Sequence, residues 1–211
     1  MGRMGRVAVF TGCAAALLAG CKKTDDSTAN YTKAINAYYA SRPACLWSEP
    51  KKLPAQAETN DASETRGYDA LVDQGLLQRT TEEKKRILIG SKSETNYDLT
   101  DKGRSAWTAD TQQPGFGNFC YGTRTVATID GAAPTTGQPG ATTVVSFHTK
   151  IGGAPAWASA PETETAFPRV ATDLAGPAAA SATLMDTTEG WVVKSGPGRN
   201  PATSVDGSIV Q

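Results

Sequence analysis

Apolar residues along this chain fall first into helical periods and then into alternating ones. Tyr31, Ala34, Ile35, Tyr38 and Tyr39 stand at i, i+3, i+4, i+7 and i+8. They form one face of a helix that Asn30 can cap and that Ser41, Arg42 and Pro43 end. Residues 44–60 read as irregular, with Pro50, Pro54, the Lys51-Lys52 pair, and Cys45 beside Trp47. Asp61 with Glu64 three residues on resembles a capping box, and Tyr68, Leu71, Val72 and Leu76 share one face of the helix that follows. Gly75 marks its end. Two short β-type runs, 86–89 and 95–99, come next, and Thr100 can cap a short helix reaching Trp107.

Beyond residues 108–117 the period changes. Residues 119–129 alternate, with Tyr121, Thr123, Thr125, Ala127 and Ile129 on one side, and residues 131–141 make a long connection. Residues 142–151 return as a strand with Val145, Phe147 and Ile151 inward and Val144, Ser146, His148 and Lys150 outward. Phe167, Val170, Ala171 and Leu174 are spaced for a helix over 162–174 that Pro168 must kink or restart. Residues 180–185 and 191–194 close the pattern as two strands around the turn at Thr187 to Gly190. The expected fold class is therefore α+β. A helical half over 30–110 packs on an antiparallel β-β-α-β-β half over 111–195, whose helix lies across its sheet, and 196–211 is a tail. Trp107, Phe119, Phe147, Phe167 and Trp191 are the expected core.

The first apolar run is of another kind. Arg3 and Arg6 precede about a dozen apolar residues over 7–18, too few to cross a hydrocarbon layer roughly 30 Å thick. Leu18, Ala19 and Gly20 then lead to Cys21, with Lys22, Lys23 and a polar stretch behind. This resembles the signal peptide of bacterial lipoproteins, with Leu18-Ala19-Gly20-Cys21 as the lipobox. The resemblance implies that 1–20 is removed, that Cys21 is diacylated, and that its new amino group is open to acylation. Two or three chains, at about 0.8 kcal/mol per buried methylene, hold a protein on a bilayer where one does not. Lys22 in place of the inner-membrane retention aspartate implies the periplasmic face of the outer membrane where the source has two membranes. Residues 21–29 then serve as a tether.

Composition narrows the partners. Loss of 1–20 removes Arg3 and Arg6 but no carboxylate, so 21 basic against 21 acidic groups becomes an acidic excess of two. That leaves no electrostatic case for nucleic acid. Of four cysteines, Cys13 departs with the signal and Cys21 takes lipid, so Cys45 and Cys120 are expected to form a disulfide in an oxidising compartment. With no C-x-x-C and His148 the sole histidine, neither a metal nor another cofactor is expected.

Residues 71–77 (LVDQGLL) and 97–104 (YDLTDKGR) resemble the helix, two-stranded wing and next helix of winged-helix domains, over roughly 61–107. The resemblance implies that fold for the helical half and says nothing of function. Arg79, Lys84, Lys85 and Arg86 are interleaved with Glu82 and Glu83, a solvated face and not a DNA-reading one.

No residue pair recommends itself for catalysis. His148 is expected to face solvent without a nucleophile motif or an orienting carboxylate. Glu162 and Glu164 compensate a helix dipole, and Gly115 with Gly117 follows no strand and precedes no lysine, so it is not a phosphate loop. The reading that results is a membrane-anchored envelope module, not an enzyme, that binds an envelope protein or polymer. The alternative is an envelope hydrolase.

Overall fold

The computed structural model describes residues 27–58, 61–85, 91–136 and 138–198. The lipobox residues Leu18, Ala19, Gly20 and Cys21, the apolar run 86–89 and the segment 199–211 lie outside them. In chain order the elements are α1 (Thr28–Ala40), β1 (Ala44–Cys45), β2 (Lys51–Lys52), β3 (Ala55–Glu58) and α2 (Ala62–Asp73). Then follow β4 (Leu77–Lys85), β5 (Ser91–Leu99), α3 (Asp101–Ala106), β6 (Trp107–Ala109), β7 (Phe116–Ala132) and β8 (Thr142–Gly152). The chain continues with α4 (Pro161–Ala166), α5 (Pro168–Leu174), β9 (Ala178–Thr187) and β10 (Gly190–Gly198).

The expected α+β division, a helical winged-helix-like half against a sheet half, is overturned. The described residues are mostly β, with seven strands in one curled antiparallel sheet and three in another. Strand β7, 17 residues long, is the spine. Its first half pairs β1, β2 and β6, and its second half pairs β8, which continues through β9 to β10. The second sheet runs β3-β5-β4. The polar stretches 78–85 and 91–98 offer little apolar alternation, yet they pair from Leu77↔Leu99 to Lys85↔Ser91. Backbone hydrogen bonding builds such strands, and the side-chain pattern does not reveal it. One helix, α2, lies between β3 and that hairpin, so the N-terminal half is not a helical bundle.

Two cores share β7. In the first, Leu71 and Leu76 from the α2 region join Tyr97, Phe119, Tyr121, Trp157 and Val170. In the second, Tyr31, Ala34, Ile35 and Tyr39 of α1 cover Val145, Phe147, Leu184 and Trp191. The helix across the four-stranded meander is thus α1, not the 162–174 segment. Length explains the exchange. The 13 residues of α1 reach about 20 Å, enough to cross four strands about 4.8 Å apart. The other segment breaks at Phe167 into pieces of 6 and 7 residues, which pack with the first core. The break itself falls where Pro168 requires it.

Helix α1 begins before Asn30, with Ser27 as its N-cap accepting from the Asn30 N–H. Its Asn36 side chain accepts through Oδ1 from the Val126 N–H at 2.8 Å, beside a register shift in β7. This supplies a partner for a donor that a bulge would otherwise leave over. Phe119, Phe147 and Trp191 are buried as expected. Trp107 and Phe167 pack on the first core but stay partly exposed. The closing hairpin extends past residue 196, through Gly198, and so includes the first residues of the expected tail.

Candidate functional site

Three successive residues after α1 are fastened to β7. Cys45 and Cys120 face each other in register and form the expected disulfide across 75 positions of chain. The Leu46 N–H donates to the Phe119 carbonyl at 3.0 Å. The Trp47 N–H donates to Asn118 Oδ1 at 3.2 Å, and Asn118 Nδ2 donates to the Trp47 carbonyl at 2.7 Å. Asn118 is only 9% exposed, so its amide is committed to this two-way clamp. Trp47 has no long strand around it, yet its backbone is held as firmly as one.

The ring it carries is the hub of an aromatic cluster. Its centroid lies 5.9 Å from both Tyr68 and Phe167, 6.1 Å from Phe119 and 6.5 Å from Trp107. Tyr68 is stacked on Tyr97 at 4.9 Å. The Tyr97 hydroxyl donates to Asp69 at 2.9 Å, and Arg79 pairs with the same carboxylate oxygen. Burial, and then Asp69, push the Tyr97 phenol far above its usual range. Phe167 lies against α2 at Gly67, where an added Cβ would approach the ring edge to 3.0 Å.

Trp47, Tyr68 and Phe167 wall a cleft of about 560 Å³ whose polar lining includes Lys51, Gln56 and Arg66. No carboxylate lines it, and among the described residues neither Lys51 nor Arg66 takes part in an ion pair. Gln56 donates to Asn96 Oδ1 at 2.7 Å, which fixes the orientation of its amide. The site therefore combines rigid rings with two cations that form no ion pair among the described residues, although Arg66 also borders an adjoining cleft lined by Asp69, Asp73 and Glu162.

The residues singled out from sequence fall elsewhere. His148 stands on the outer face of β8, as its alternation predicts, but it does have an orienting carboxylate. Asp130 lies 2.9 Å from His148 Nδ1 through Oδ2 and 3.1 Å through Oδ1. The Nδ1–H tautomer donates to it and leaves the Nε2 lone pair free. Asp130 escaped the sequence reading because the strand seemed to end at Ile129. It sits at a register shift between Ile129 and Gly131, where period-two counting fails. The Thr128 hydroxyl bonds to Asp130 at 3.3 Å, and His148 lines none of the five principal clefts. Glu162 and Glu164 occupy the first turn of α4, and Glu162 accepts from Gln74 at 3.3 Å. Gly117 pairs with Lys51 inside the sheet, and Gly115 takes a positive φ in the turn before it.

A second polar network ties β7 to α5. The buried Tyr121 hydroxyl donates to Asp173 at 2.6 Å, and Arg124 pairs with the same carboxylate. Burial, and then Asp173, raise the Tyr121 phenol from 10.0 to about 12. The folded state holds this proton more tightly than the unfolded chain. Its contribution is complete below pH 10 and is lost as pH rises from 10 through 12. Two pKa units correspond to roughly 2–3 kcal/mol. Tyr121→Phe is expected to flatten the fall in stability over this window, as read by urea midpoints at successive pH values. The slope that remains includes Tyr97 and Tyr39, whose phenols burial also raises, and an unchanged slope would contradict the assignment.

Comparison of the chain with protein-family models, with curated proteins and with solved structures gives no match. Among the described residues no helix is long and apolar enough to cross a membrane, and no three His, Cys, Asp or Glu side chains are grouped to hold a metal ion.

Proposed function

We propose that this chain is a lipid-anchored envelope protein, held to the membrane through lipid on Cys21, whose folded body binds a partner in the Trp47 cleft. The lipobox resemblance at Leu18 to Cys21 supplies the address. The observation that carries the binding role is the cleft itself: three braced rings beside two cations that form no ion pair among the described residues. Preorganised aromatic walls with few, fixed polar groups are what binding sites share. In this reading the disulfide and Asn118 hold the Trp47 backbone in its binding position, and the stretch between Cys21 and the α1 cap at Ser27, shorter than the expected 21–29, tethers the body to the bilayer.

A hydrolase reading has one observation in its favour, the His148–Asp130 pair. Among the described residues His148 lines none of the five clefts above and no hydrogen bond links it to a hydroxyl or thiol, the partner such chemistry needs. DNA recognition has neither the charge nor the compartment.

The test is photo-crosslinking in intact cells, from a probe residue in place of Ala166 in the cleft wall and from another at position 150 on the open sheet face. An adduct is expected from 166 and not from 150, and it is expected to disappear in Trp47→Ala. Equal adducts from both positions, or none from 166, would contradict binding in the cleft.

A further inference from the structure

We propose that the cleft binds an acidic glycan, a chain of sugar rings bearing carboxylates. The inference rests on reading the cleft as the binding site and names the class of ligand it takes. Three properties of the site converge on it.

The first is the wall. Aromatic faces carry negative charge density and attract positively polarised C–H edges. A pyranose ring presents a face of such C–H groups, and Trp47, Tyr68 and Phe167 offer half-buried rings to lie against it. The second is charge. Among the described residues Lys51 and Arg66 form no ion pair, and a guanidinium pairs with a planar carboxylate in two-pronged fashion. The third is the polar rim. Gln56 is fixed by Asn96 and stands beside the cations, giving hydroxyl groups an amide to bond. A purely apolar ligand would strand these groups without partners. A neutral sugar would leave both cations unanswered. An acidic peptide would answer the cations but could place a flat body on the rings only where its sequence supplied one. A uronic-acid chain meets all three demands with every repeating unit.

Bracing makes the arrangement selective. Each ring is held from behind: Tyr68 by Tyr97, Trp47 by Phe119 and Trp107, and Phe167 by α2 at Gly67. Little side-chain freedom remains to be lost on binding, which favours recognition of a rigid ligand.

The experiment uses the full chain in detergent and a labelled short oligogalacturonate, read by fluorescence anisotropy. Unlabelled competitors are a neutral cello-oligosaccharide of equal length and polyglutamate of equal charge. Binding is expected to weaken with salt. Lys51→Gln together with Arg66→Gln is expected to weaken it about tenfold, since each partly exposed charge contact is a modest term. Both changes lie on the rim, so the melting temperature stays put. Trp47→Phe keeps a ring in the cluster and is expected to weaken binding several-fold. Neither competitor should displace the probe as well as unlabelled oligogalacturonate does. Displacement by polyglutamate at equal concentration would show that charge alone is read and overturn the proposal. Equal displacement by the neutral sugar would overturn it by showing the cations idle. Absence of any sugar binding, beside a Trp47-dependent adduct at position 166 in cells, would overturn the glycan and leave the cleft. Absence of that adduct removes the reading on which the glycan rests.

Discussion

Replacing Cys45 and Cys120 together by alanine is expected to lower the unfolding free energy by about 4 kcal/mol. The bridge closes a loop across 75 positions. In the chain-entropy account, loops of this length gain about 4 kcal/mol from the restriction placed on the unfolded chain. The location adds a local effect. Cys45 is one of only two residues of β1, whose pairing to β7 is too short to hold by itself. Its loss frees the segment that carries Trp47, leaving the Leu46–Phe119 hydrogen bond and the Asn118 clamp as the remaining ties. Urea unfolding of the oxidised chain, the reduced chain and the double variant checks this. Reduced and double-variant proteins should coincide, well below the oxidised one. A difference under about 1 kcal/mol would mean that the unfolded chain is already restricted in the same way.

Phe119→Ala is expected to cost about 4 kcal/mol, within the usual range for aromatic truncation. Phe119 is fully buried, with ring centroids of Trp107 at 5.0 Å, Trp157 at 6.0 Å and Trp47 at 6.1 Å. Three large rings on the walls cannot collapse into the space that one phenyl leaves, so the cavity term stays nearly whole. Phe147→Ala truncates an equally buried ring in the other core, away from that cluster. The two variants separate global from local consequences. Both should lower the urea midpoint, but only Phe119→Ala should reshape the near-ultraviolet circular dichroism that coupled tryptophans produce. Equal spectral changes in the two would deny that the cores are distinct.

Much of the C-terminal half was legible in the sequence because its strands have one buried face. Val145 and Phe147 alternate with exposed neighbours in β8, and Pro168 announces the break between α4 and α5. Cys45 and Cys120 could be paired by elimination. What escaped was whatever depends on backbone pairing or on docking. The polar strand β4 carries one apolar residue, Leu77, in its nine positions and has no period to read. The face of α1 is plainly apolar, but nothing local says that it covers a sheet beginning more than 70 residues later. Asp130 was hidden by a bulge that breaks the count. The cleft was the least legible feature of all. Trp47, Lys51, Arg66, Tyr68 and Phe167 come from three separate stretches, and each alone reads as core or solvated surface. The neighbouring Cys45 was the available hint, since a disulfide fixes whatever lies next to it.

The most direct test of anchor and site together is made on full-length protein carrying the photo-crosslinking residue in place of Ala166. It is irradiated in cells able to lipidate it, recovered from the membrane fraction and weighed intact without reduction. The account predicts residues 21–211 with acyl chains added and two hydrogens fewer for the Cys45–Cys120 bond. It also predicts a heavier adduct that Trp47→Ala abolishes. An unprocessed, lipid-free mass, with no adduct that depends on Trp47, would contradict both the anchor and the site.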